Sequence, residues 1–207
     1  GKDLLNGKRF DKGGYILTYD YDKWSFIDPK EAQKKLNLPR NPRDYTSIAV
    51  TTDDSNDEIV YASSMGDGVI QYKNGTPVQS YNEKNAFKET AGGYGSGYCY
   101  IDGLAFDKNG NLWMTSSEVN HAVLVLDKAG AWHRLDIEQL RGVYTINDIL
   151  ITSTNDKWIY VPRNTPKLVM IPNSESLDEV SSYEFTTLID TDGKELTPSN
   201  YTCVAED

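Results

Sequence analysis

The amino-acid sequence predicts an all-β fold: a β-propeller, or propeller segment, of about four blade-like units with four strands each. Three observations carry that prediction. First, a strand–corner–strand pattern recurs. Gly103-Leu104-Ala105-Phe106-Asp107 runs through Lys108-Asn109-Gly110-Asn111 into Leu112–Ser117, and the same residue types follow one another over 47–64 and 148–161. Second, the repeat distance is short, with Trp113 and Trp158 standing 45 residues apart and Val60 and Trp113 standing 53 apart. Third, each unit continues with two more short runs of β-branched and aromatic residues, punctuated by Asn-Gly-type turns. Four-stranded units of about 40–50 residues are the sequence signature of propeller blades.

Taken in order, the chain opens on a partial unit at residues 1–28. Tyr15–Asp20 and Lys23–Asp28 read as the third and fourth strands of a blade lacking its first. A short helix over Pro29–Leu36 follows, with Asp28 as N-cap and proline at the first helical position. The unit at 45–81 contains Ser47–Val50, the corner Asp53–Asp57, Ile59–Ser64, a turn at Met65–Gly68, Val69–Tyr72, the turn Lys73-Asn74-Gly75 and a closing strand. The unit at 100–135 repeats it with turns at Glu118–His121 and Asp127–Gly130. The unit at 145–190 repeats it again, but carries Asn155-Asp156-Lys157-Trp158 where a glycine-containing corner is expected. A second helical turn is expected at Ile137–Leu140. Cys203–Asp207 matches Gly103–Asp107 at a spacing of 100 and starts a further blade over 201–207. Residues 1–207 thus read as a single propeller domain or a fragment of one. Either the terminal strand completes the first blade and closes a small ring, or the chain is part of a larger propeller. The second is preferred, because four blades is the lower limit of the fold. An exposed blade edge offers a route to a homodimer.

Strand order decides which connections share a rim. Turns between first and second strands, and between third and fourth, are tight and lie on one side. Residues 29–45, 82–99, 136–145 and 174–200 hold nearly all the loop length and are expected on the other. Long connections on a rigid scaffold are where binding sites are built. Five residues on that rim are binding candidates: Tyr94 and Tyr98 in the Tyr- and Gly-rich stretch 91–100, Glu118 and His121 in one turn, and Arg163 between Pro162 and Pro166. The 91–100 stretch is no phosphate loop, lacking the Gly-Lys-Ser/Thr end, and no nucleophile elbow, because Tyr94 stands where a glycine is required. Asp102, Asn147 and Asp148 precede innermost strands near the channel, where their expected role is to accept backbone hydrogen bonds. Asp107–Asn111 lacks the distal glutamate of a calcium loop and reads as a turn. Trp113, Trp158 and Trp24 are expected in the core between blades. No catalytic residue, metal site or cofactor is expected.

Composition narrows the function classes. With 31 acidic against 21 basic residues, the net charge of −10 disfavours nucleic acid as a partner. No apolar run approaches the length of a membrane span. Cys99 and Cys203 are far apart, in no zinc-binding spacing, and read as two free buried thiols, with a single disulfide in an oxidising compartment as the alternative.

The residues Gly103–Trp113 resemble the two-component-regulator propeller repeat of bacterial sensor ectodomains and surface proteins. Ile48–Val50, Val60–Val69 and Gln71–Gly75 are more specifically similar to PorZ-like tandem propellers associated with type IX secretion. The likeness spans roughly 12–207 and rests on scaffold positions, so it transfers no binding residue. It implies a non-enzymatic periplasmic or cell-surface protein that recognises a protein or glycan. Two alternatives stand beside it: the ligand-sensing ectodomain of a hybrid two-component sensor, and a metal-dependent propeller lactonase or lyase.

Overall fold

β-Branched and aromatic runs separated by Asn-, Asp- and Gly-centred corners favour short antiparallel strands over helices, and the computed structural model, which describes residues 14–87, 97–163 and 165–206, is built from them. β1 (Ile16–Asp20) and β2 (Lys23–Ile27) form a hairpin, followed by α1 (Pro29–Leu36). β3 (Tyr45–Thr52), β4 (Glu58–Gly66), β5 (Gly68–Lys73) and β6 (Thr76–Tyr81) form one antiparallel meander. β7 (Cys99–Phe106), β8 (Leu112–Ser116), β9 (Val123–Leu126) and β10 (Trp132–Leu135) form the next. β11 (Ile149–Ile151), β12 (Lys157–Val161), β13 (Lys167–Ile171) and β14 (Tyr183–Phe185) form the third. A small hairpin, β15 (Leu188–Ile189) with β16 (Glu195–Leu196), follows. Met65 and Gly66 of β4 also pair with Tyr100 and Cys99 of β7, fusing the first two meanders at one end. The helix starts as expected: the Asp28 carboxylate accepts from the Lys30 amide at 2.9 Å, and Asn37 in the left-handed region closes the other end. The second helical turn is a 3₁₀ turn at Glu138–Leu140.

The three corners between first and second strands are one structure built from different residues. The amides of Asp53, Asp107 and Thr152 donate to the carbonyls of Asp57, Asn111 and Asp156 at 3.0, 2.9 and 2.9 Å. The amides of Asn56, Gly110 and Asn155 donate back to the carbonyls of Asp53, Asp107 and Thr152. Those three residues have φ of +62°, +84° and +69°, so asparagine serves where glycine was expected. The first residue of each corner also binds the loop through its side chain: Asp107 Oδ1 accepts from the Asn109 and Asn111 amides at 2.9 and 2.8 Å. Asp107–Asn111 is therefore a turn, as its residues indicated.

Consecutive meanders pack face against face. Ile16, Ile27 and Ala32 meet Val60, Ala62, Ile70 and Tyr72. Ala49 and Val69 meet Leu104, Leu112, Met114, Leu124 and Leu126. Trp113, Val123 and Val125 meet Ile149, Ile159, Val161, Val169 and Ile171. Trp113 is 1% exposed, as expected; its indole N–H donates to Asp107 at 2.9 Å, and the buried Lys157 ammonium lies 4.6 Å from its ring centre. Trp158 is half-buried and stacks on Phe185. Trp24 departs from expectation at 71% exposure. It lies on the face of the β1–β2 ribbon opposite Ile16 and Ile27, beside Tyr19, and no described element covers that face.

Three further expectations need correction. The connection at 172–182 joins β13 to β14 and therefore lies on the rim of the tight corners, where Asp178 stands 3.7 Å from His133. Only the later part of 174–200 belongs to the opposite rim, and it contains a further hairpin whose Asp190–Lys194 turn repeats the corner bonding. Residues 201–206 are tied to β12 and its corner by the Tyr160–Thr202 and Ser153–Glu206 bonds, and they form no strand among the described residues. Cys99 is buried and Cys203 is exposed; both are free.

Candidate functional site

The inner strands begin, and the second strands end, at the rim that carries most of the long connections, and side chains of both hold successive sheets in register there. Thr46 Oγ1 donates to the Ile101 carbonyl at 2.6 Å. One blade further on, Thr115 Oγ1 donates to the Asn147 carbonyl at 2.8 Å and accepts from the Gly103 amide at 2.9 Å. The Tyr160 hydroxyl donates to the Thr202 carbonyl at 3.1 Å. Gly103 permits the closest approach: a Cβ there would stand 2.8 Å from both Asp148 Cα and the Ile149 nitrogen.

Around these strand starts opens a cleft of about 540 Å³. Tyr100, Asp102, Asn147, Arg163 and Tyr201 line it, with threonine hydroxyls between them. Asp102 is 8% exposed and accepts from the Ser117 hydroxyl at 2.7 Å. Burial pushes its carboxyl up to about 8, a shift the nearby Asp148 and Glu118 reinforce against the Ser117 bond. At neutral pH Asp102 is therefore mostly a neutral acid that can donate as well as accept. The Tyr201 hydroxyl is buried without a hydrogen-bond partner among the described residues. Arg163 stands exposed on the rim with no ion pair among them. The wall thus offers one uncommitted cation, one unsatisfied hydroxyl and a protonated carboxyl. That set suits a ligand rich in hydrogen-bonding oxygens.

The candidates from the sequence divide between this cleft and its surroundings. Arg163 lines it, as do Asp102 and Asn147. Asp148 is exposed beside it, its Oδ1 accepting from the Ile149 amide at 2.9 Å. Tyr98 packs over Gly66 and meets Tyr100 edge to face, at 6.3 Å between ring centres, so it reaches the cleft through one intervening ring. Tyr94 lies outside the described residues. Glu118 takes φ of +64° in the β8–β9 connection, and its Oε1 is buried without a hydrogen-bond partner among the described residues. His121 lines a separate small hollow with Phe87, Cys99 and Arg134, apart from the cleft. Tyr201, Thr46 and Thr202 escaped sequence reasoning. The position of 201–202 one repeat after 101–102 was the available signal. Among the described residues, no three His, Cys, Asp or Glu side chains gather as metal ligands.

No protein-family profile and no curated protein matches the chain. Solved structures do. PorZ, an essential bacterial surface component of the type-IX secretion system of Porphyromonas gingivalis, matches with a TM-score of 0.75 at 18% identity, over 90% of this chain and 26% of its own. The extracellular domain of a one-component system from B. thetaiotaomicron matches at 0.48 with 16% identity, over 73% of this chain and 23% of its own. That of a hybrid two-component system from the same organism matches at 0.43 with 16% identity, over 70% and 19%. The chain spans about a quarter or less of each. Its fold is that of a β-propeller segment.

Proposed function

We propose that the chain is a non-catalytic module of a bacterial surface or periplasmic propeller protein, an accessory of type IX secretion, that recognises a protein or glycan at the cleft on its long-connection rim. The observation that carries this reading is the cleft wall itself, where Arg163 is exposed with no ion pair and the Tyr201 hydroxyl is buried behind the lining with no hydrogen-bond partner among the described residues. A buried hydroxyl without a partner costs free energy that a bound oxygen would recover. The fold shared with PorZ supports the secretion context.

The test is binding of the purified chain to arrayed glycans and to immobilised outer-membrane proteins, compared with Arg163→Ala and Tyr201→Phe. Loss of a charge-assisted contact should weaken the recognised species about tenfold in Arg163→Ala. Binding unchanged in both variants would remove the cleft as the recognition site. The reading extends to a homodimer through the exposed β1–β2 hairpin, where Leu17 is 66% exposed. Light scattering should then show a dimer that Leu17→Lys with Phe26→Lys converts to monomer; a wild-type monomer ends that extension.

A further inference from the structure

A second opening lies on the opposite rim, among the tight corners, where the chain has no long connection between the two blades concerned. It is a groove of about 440 Å³ between the β3–β6 and β7–β10 meanders. Its floor is apolar: Tyr61 and Phe106, both half-buried, meet edge to face at 5.8 Å between ring centres, with Ile59, Leu112 and Leu126 beneath. Its rim is charged and unbalanced. Asp53, Asp54 and Asp127 stand on it against Lys73 and Lys128. Lys73 is already held between Asp53 and Asp57, at 2.7 and 2.8 Å. Asp127 is anchored by His133 at 2.9 Å and by the Ala131 amide. Asp54 is exposed and has no ion pair among the described residues. The groove therefore joins an aromatic floor to a net negative rim, on which Asp54 and Lys128 are the charges without an ion pair among the described residues.

An aromatic face beneath carboxylates is the arrangement that holds a cationic side chain, because the ring quadrupole and the carboxylates attract the same charge. Lysine and arginine also carry an alkyl stem that can lie on the apolar floor. We propose that this groove is a docking site for a lysine- or arginine-containing peptide segment of a partner protein, its cationic side chain over Tyr61 and Phe106 and its charge beside Asp54. The site is distinct from the cleft on the other rim and does not depend on what that cleft binds.

Calorimetry with the peptide acetyl-Gly-Lys-Gly-Arg-Gly-Lys-amide tests it, with the same peptide carrying glutamate at its charged positions as counter-probe and maltohexaose as a neutral sugar. The lysine–arginine peptide should bind saturably and the glutamate peptide should not. Asp54→Lys, on an exposed turn, should weaken binding about tenfold by placing like charges together. Lys128→Glu should tighten it about threefold. Asp192→Lys, the same charge reversal on the distant β15–β16 hairpin, should leave it within about twofold. Equal weakening by Asp54→Lys and Asp192→Lys would reduce the effect to the chain's overall acidity and overturn the proposal. So would binding of maltohexaose in place of the peptide, or no peptide binding at all.

Discussion

Asp102 sets the chemistry of the cleft because its burial was fixed by the neighbouring strands and not by its own sequence context. Its carboxyl is pushed up to about 8 from an ordinary 3.8, so the folded chain holds a proton that the unfolded chain releases. That contribution to stability is complete below about pH 4 and disappears as pH rises through about 8. Urea unfolding across this range should show the wild type losing on the order of a few kcal/mol relative to Asp102→Asn; parallel profiles would show that Asp102 is not desolvated. The tryptophans make a second contrast. Trp113→Ala opens a cavity and removes the indole from Asp107 and Lys157, which keep their other hydrogen bonds, and should cost about 3–5 kcal/mol. Trp24→Ala removes an exposed ring and should cost within about 0.5 kcal/mol in the same unfolding measurement. Both rings occur in similar apolar runs. What separates them is whether another sheet lies over that face, and local sequence carries no record of it.

At the scale of elements, the corners were legible because their chemistry is local. An aspartate or threonine that closes its own loop, followed by glycine or asparagine at positive φ, forms the same turn wherever it occurs. The corner at Thr152–Asp156 therefore forms without a glycine, Asn155 occupying the left-handed position. Local bonding also explains why the Asp190–Lys194 hairpin repeats the pattern inside what composition marked only as a long connection. The approach of one inner strand to the next was not legible. Gly103→Ala would drive a methyl into the backbone of Asp148 and Ile149, forcing the two blades apart at a cost of about 1–3 kcal/mol. A drop in the urea midpoint without a change in slope would report that cost. An unchanged midpoint would mean the sheets yield freely there.

For the whole molecule, the decisive contacts run from blade to blade. The corner at Ser153 holds residues 201–206 in place: its amide and hydroxyl donate to Glu206 at 2.7 and 2.5 Å. Glu206→Gln should weaken that clasp, and limited proteolysis should then cut 199–206 several-fold faster while β11–β14 stays protected. Equal cutting rates would assign the anchoring to the Tyr160 bond instead. The sequence by itself determined the strand periods, the corners, the helix cap and the four-strand repeat, because each is written in interactions between residues a few positions apart. Only the tertiary structure decided which faces are covered, which rim receives the 172–182 connection, and that Asp102, Arg163 and Tyr201 share one cleft. Those outcomes depend on how sheets stack over distances of 40 to 100 residues along the chain, and burial, unlike a turn, is a property of what packs above a residue and not of the residue's neighbours in sequence.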